Sequence, residues 1–118
     1  RRLIDLGEWW EETSSFPLPL GGIAVARSLG PQLQAEVERT MRASLERARS
    51  QPEAAMRYVR SHAQEMDAAV CQAHISLYVN DFTSDYGKEG ERAIRHLLDT
   101  ARGVGVLPPA GKGLFWDE

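Results

Sequence analysis

Apolar side chains come in two rhythms along this chain, and nearly all of it follows the helical one. In the first stretch, Asp5-Leu-Gly-Glu-Trp-Trp-Glu-Glu-Thr13, residues Leu6, Trp9 and Trp10 stand three and four apart and share one face. Asp5 is placed to cap this short helix, with Glu8 three residues on as in a capping box. Ser14-Ser15-Phe16-Pro17 breaks it. From Pro31 to about Ser50, Leu33, Val37, Met41 and Leu45 recur every four residues and predict one long amphipathic helix. Ser50-Gln51-Pro52-Glu53 restarts the helix with a cap and an early proline, and Met56, Val59 and Ala63 continue the stripe, so a helical hairpin is the simplest reading. A further helix is expected from Asp67 through Val70, Cys71, His74, Ile75, Leu77 and Tyr78, ending near Asn80 with a left-handed cap. Asp81 to Gly90 reads as a polar link. The last helix carries Ala93, Ile94, Leu97, Leu98 and Ala101 and stops at Gly103 and Gly105, before Pro108-Pro109. In the tail, Leu114, Phe115 and Trp116 are the side chains expected to dock on the body.

The exception is Leu18-Pro-Leu-Gly-Gly-Ile-Ala-Val-Ala-Arg27, a nearly continuous apolar run bounded by Pro and Gly. It predicts a strand buried on both faces. One strand makes no sheet, because its backbone groups need neighbours. Its partners are therefore expected outside this sequence. The opening, Arg-Arg-Leu-Ile-Asp, has no initiator Met and leads straight into a helix, which reads as the start of a piece cut from something longer.

Composition narrows the function classes. Apolar residues make up 42% and charged residues 26%, so a packed core is within reach. The formal net charge is −3 and the basic residues are interspersed with acids, which argues against a nucleic-acid partner. The single cysteine, Cys71, has no partner for an internal disulfide and reads as a small buried hydrophobe in a reducing compartment. No run approaches the roughly 20 apolar residues of a membrane span, and the first residues lack the apolar core of a signal peptide. A membrane partner is not expected.

Candidate chemistry is sparse. His62 and Glu65 stand three apart, but no further ligand lies at the spacing of a zinc helix, and His74 and His96 have no flanking ligand pattern; no metal site is expected. Hydrogen bonding at a helix end or between helices is the expected job for His62. Glu11-Glu12 and Asp117-Glu118 are neighbours that point apart on a helix and make no acid–base pair. No serine sits in a Gly-flanked elbow. Gly21-Gly22 within the apolar run is of more interest, because glycine in a strand marks close approach of a ligand or of another backbone. Pocket lining and plain packing both stay open there. The Trp9-Trp10 doublet reads as a core anchor in preference to an aromatic wall for a planar substrate.

The order of motifs is the most specific signal. Asp5-Leu-Gly-Glu-Trp-Trp-Glu, Leu18-Pro-Leu-Gly-Gly-Ile, His62-Ala-Gln-Glu-Met and His74-Ile-Ser-Leu-Tyr-Val-Asn-Asp-Phe-Thr together resemble the 1,4-dihydroxy-6-naphthoate synthases of the futalosine route to menaquinone, over nearly all of Arg1 to Pro108. The departures are small: Ser14-Ser15-Phe16 stands where that family tends to show Thr-Gly-Leu, and Tyr86 where Leu is common.

The resemblance implies a cytoplasmic, lyase-type enzyme with no known cofactor that converts cyclic dehypoxanthine futalosine to 1,4-dihydroxy-6-naphthoate. It implies an α/β, type-2 periplasmic-binding-protein-like fold with two lobes, of which this piece is mostly α with one long buried strand. Residues 1–17 would end the second lobe, 18–27 would form the strand crossing to the first, 28–107 its carboxy-terminal helices, and 108–118 a tail. Pro19, Leu20, Gly21 and Gly22 would then line the substrate cleft. The family's base histidine would lie shortly before Arg1, so none of His62, His74 and His96 inherits the catalytic role, and the piece alone would be inactive. The implied partners are the small-molecule substrate and the missing amino-terminal half, with a homodimer left open. Two rivals share the fold: the chorismate dehydratase of the same pathway, and a solute-binding protein of a transporter.

Overall fold

Two aspartates begin helices in the same way. The Asp5 carboxylate accepts hydrogen bonds from the Gly7 and Glu8 amides at 2.9 and 3.1 Å and opens α1, Leu6–Ser14. The helix ends where Ser15 turns left-handed (φ 60°) and its amide donates to the Glu11 carbonyl at 2.9 Å. Asp67 repeats the device at α4, Ala68–Tyr78, accepting from Ala69 and Val70 at 2.8 and 3.1 Å. These bonds satisfy amides that a helix start otherwise leaves without partners.

The computed structural model describes residues 3–64, 67–111 and 113–115. They fall into two units, one formed by residues 1–24 with 86–118 and the other by residues 25–85.

The second unit begins with a 3₁₀ turn, Arg27–Leu29, that runs into α2, Gly30–Ser50, with Pro31 in its first turn. The buried Gln34 amide donates to the Ala26 and Arg27 carbonyls, each at 3.3 Å, and fastens that turn to the helix. Along α2, Val37 and Leu45 are half-buried, whereas Leu33 and Met41 are exposed. Gln51 alone separates α2 from α3, Pro52–His62. The Ser50 hydroxyl does not cap α3; it donates to the Arg47 carbonyl at 3.1 Å and closes α2. In α4 the buried residue is Cys71.

α4 ends near Asn80 as expected, but Asn80 itself is not left-handed. It lies in extended backbone and caps a one-turn helix, α5, Asp81–Ser84, where its side chain accepts from the Phe82 amide at 3.1 Å and its amide donates to Thr83 Oγ1 at 3.2 Å. The link expected from Asp81 to Gly90 is thus mostly helical, because Asn-x-x-Thr supplies a capping box that polarity alone conceals.

In the first unit, α6, Gly87–Gly103, buries Gly90 and Ala93 and half-buries Ile94, Leu97, Leu98 and Ala101. It stops as expected at Gly103 and Gly105. Gly105 is left-handed (φ 78°), and the Val106 and Leu107 amides return to the Ala101 carbonyl at 2.9 and 3.3 Å. In the tail, the Arg95 guanidinium lies 4.9 Å from the Phe115 ring centre; Trp116, also expected to dock, lies outside the described residues.

The fold class is the main correction. No strand or sheet occurs among the described residues, so neither the α/β two-lobed architecture nor the long buried strand at 18–27 is present. That run, with Pro19, Leu20, Gly21 and Gly22, is irregular, and Leu20 and Ile23 are 72% and 73% exposed. The physical reason is pairing: an apolar run becomes a strand only where another strand meets its amides and carbonyls, and every other regular element described here is a helix. Pro17 and Pro19 also withhold two donors.

Candidate functional site

Pro19 to Gly22 follow α1 and the Ser15 turn. Pro19 is half-buried; Leu20, Gly21 and Gly22 are exposed. The two glycines differ in surroundings. A Cβ at Gly22 would stand 3.2 Å from the Tyr86 hydroxyl, whereas one at Gly21 would meet nothing within 4 Å. A side chain at Gly22 would crowd the Tyr86 hydroxyl, and Gly21 faces open space that a ligand could use.

The Trp9-Trp10 doublet divides its labour, since adjacent helix residues point about 100° apart. Trp10 packs inward: its ring centre lies 5.6 Å from that of His96 on α6, and Phe16 approaches the same imidazole from 5.1 Å. These separations are those of tilted aromatic pairs. The Trp10 indole Nε1 is enclosed without an acceptor among the described residues. Trp9 is exposed instead and, with Leu3, Ile4, Asp5, Glu8 and Glu12, lines an open hollow beside α1.

The remaining histidines occupy helix surfaces. His62 Nδ1 lies 3.0 Å from the Tyr58 carbonyl and 2.8 Å from Ser61 Oγ, and its ring stacks on Tyr58 at 4.4 Å, the helix-end role expected of it. His74 meets the Tyr78 ring edge-on at 6.2 Å. Glu65, the other half of the spacing weighed for a metal, lies outside the described residues. Among the described residues no group of three or more His, Cys, Asp or Glu side chains could hold a metal, and no helix is long and apolar enough to cross a membrane.

The meeting of Trp10, Phe16 and His96 is what residue patterns missed. His96 is about eighty positions from its two partners, and no local spacing encodes a contact of that range. A weak signal existed: the helical period puts His96 next to the apolar stripe of α6, between Ala93, Leu97 and Ala101. Chemically, the cluster provides aromatic surface and one enclosed donor. Among the described residues no nucleophile with its own base is assembled around it.

Comparison with known proteins places these features. Residues 1–103 match a family described as menaquinone biosynthesis. A 1,4-dihydroxy-6-naphthoate synthase of Streptomyces coelicolor is 48% identical over 110 residues, which cover 93% of this chain and 39% of that protein. The synthase of the same name from Thermus thermophilus is 43% identical over 114 residues, or 97% of this chain and 42% of that protein. The chain spans about two fifths of the length of these curated relatives and corresponds to their carboxy-terminal part. The family match begins at the first residue and ends with the last residue of α6, taking in α1, the Pro19–Gly22 segment and the Trp10–His96 contact, and the chain belongs to this menaquinone biosynthesis family.

Proposed function

We propose that this chain is the carboxy-terminal part of a 1,4-dihydroxy-6-naphthoate synthase, a lyase-type enzyme that forms its product from cyclic dehypoxanthine futalosine. The observation that carries the reading is identity of 48% and 43% to two synthases, spread over nearly the whole chain and not confined to one motif. The reaction's base belongs to the longer polypeptide. His62 and His96 are engaged as a helix-end hydrogen-bonding group and as an aromatic packing partner, and neither is set up to draw a proton from a substrate. The part of the site assigned to this chain is the Pro19–Gly22 segment, and the open space at Gly21 supports that assignment. A cytoplasmic location goes with the reading, since the substrate is a polar, nucleoside-derived biosynthetic intermediate.

Genetic complementation tests the reading. The intact polypeptide should restore menaquinone formation to a strain lacking its own naphthoate synthase, and the 118-residue chain alone should not. Failure of the intact polypeptide, expressed to normal levels, would refute it.

A further inference from the structure

Charged residues make up 26% of the chain, yet α4, Ala-Ala-Val-Cys-Gln-Ala-His-Ile-Ser-Leu-Tyr, has no Asp, Glu, Lys or Arg and carries apolar side chains on every side. A helix of that kind belongs in the interior of a large protein. Here one side of it is covered: Cys71 is buried and Ile75, four residues on, is half-buried. Val70, Ala73 and Leu77, three and four apart on the far side, are exposed, Leu77 at 64%, and Tyr78 is 57% exposed. Single exposed apolar residues need no explanation, but an uncharged helix open along a whole face marks an interface.

Surface area gives the size of the missing cover. The chain exposes 9567 Å². Two separate globules sharing its 13.2 kDa would together expose about 7,700 Å² by the usual scaling of surface with mass. The excess, about 1,900 Å², is more than twice the roughly 800 Å² that each partner gives to a standard protein–protein contact. That is the scale of an obligate interface, and depletion of charge is the mark of an interface core. We infer that α4 is a core helix of the longer polypeptide, and that its Val70, Ala73 and Leu77 face seats the amino-terminal part, which packs uncharged apolar side chains against it. More than half of each relative's length lies outside the match, on the amino-terminal side, a body large enough to cover such an area permanently. A second copy meeting this face in a contact of standard size would leave most of the excess open.

The inference rests on the reading that the chain completes a longer synthase, and its test does not depend on turnover. Hydroxyl-radical footprinting of the intact, unmutated polypeptide, at concentrations where it is a monomer, should show Leu77 and Tyr78 oxidised about ten-fold more slowly than in urea. Their exposure in this chain by itself, 64% and 57%, would protect them less than about two-fold. Protection of only that smaller size in the folded monomer would overturn the inference, as would ten-fold protection that appears only once dimers form. An active enzyme with an open α4 would sink this inference alone; an inactive polypeptide with a protected α4 would sink only the proposed activity.

Discussion

Helices α1 and α6 belong to the same unit and each carries a local helix signal, yet they end in different states. In α6 the apolar stripe is inside or half-inside along its length, with Ala93 at 1% exposure. In α1 only the Trp10 flank is packed, and Leu6 and Trp9 stand in solvent. Both helices form, α1 behind its Asp5 cap and α6 on its apolar period, because such signals are properties of a few adjacent residues. Burial is not such a property. It requires a partner surface, and α6 finds one within this sequence on its whole stripe while α1 finds it on one side.

Substitutions can break or sharpen that contrast, each read by urea unfolding of the intact polypeptide. Trp10→Ala removes the ring that meets His96; complete burial of such a ring is worth 3–5 kcal/mol, and its half-buried state here sets the expected loss at about 2–3 kcal/mol. A neutral result would show that the packed flank of α1 contributes nothing. Ala93→Leu forces three heavy atoms into the tightest point of α6 and should cost about 1–3 kcal/mol by overpacking. Asp5→Ala and Asp67→Ala each free two amides at a helix start and should cost about 1 kcal/mol. Equal losses are expected, since the two caps have nearly the same geometry; a much larger loss at Asp5 would mean that α1 is held by its cap more than by its packing.

Two smaller effects have distinctive signs. Ser15 holds a left-handed conformation (φ 60°) at the position where the resembled family tends to show glycine, so Ser15→Gly should stabilise by about 0.5 kcal/mol, the relief of strain offset in part by unfolded-chain entropy. Gly21→Ala adds a methyl that meets nothing within 4 Å and should leave stability unchanged. If Gly21 lines the substrate site, the same change should raise KM a few-fold in steady-state kinetics; an unaltered KM and kcat would remove Gly21 from the site.

What the sequence revealed follows the same division. Asp5, Asp67, Pro52 and the Gly103–Gly105 stop were legible because capping, proline placement and left-handed glycine act within a few residues. Asn80 departs from the expected left-handed stop because Thr83, three residues on, completes a capping box with it, a local signal present in the chain. The run from Leu18 to Arg27 failed for a different reason: apolar content specifies a preference for being covered, and a strand additionally needs a neighbour. At the candidate site, Pro19 to Gly22 could be singled out from glycine placement and family resemblance, but the Tyr86 hydroxyl beside Gly22 and the meeting of Trp10, Phe16 and His96 join residues far apart in the chain. Those contacts exist only once the helices are placed.

The proposed completion of a naphthoate synthase by this chain puts the chemistry in the longer polypeptide. Incubating the intact polypeptide, and separately the 118-residue chain, with cyclic dehypoxanthine futalosine and measuring 1,4-dihydroxy-6-naphthoate by mass spectrometry tests it most directly. Product from the intact polypeptide and none from the chain is the expected result. Turnover by the chain alone would place the base within these 118 residues, and a folded intact polypeptide that makes no product would contradict the proposed reaction.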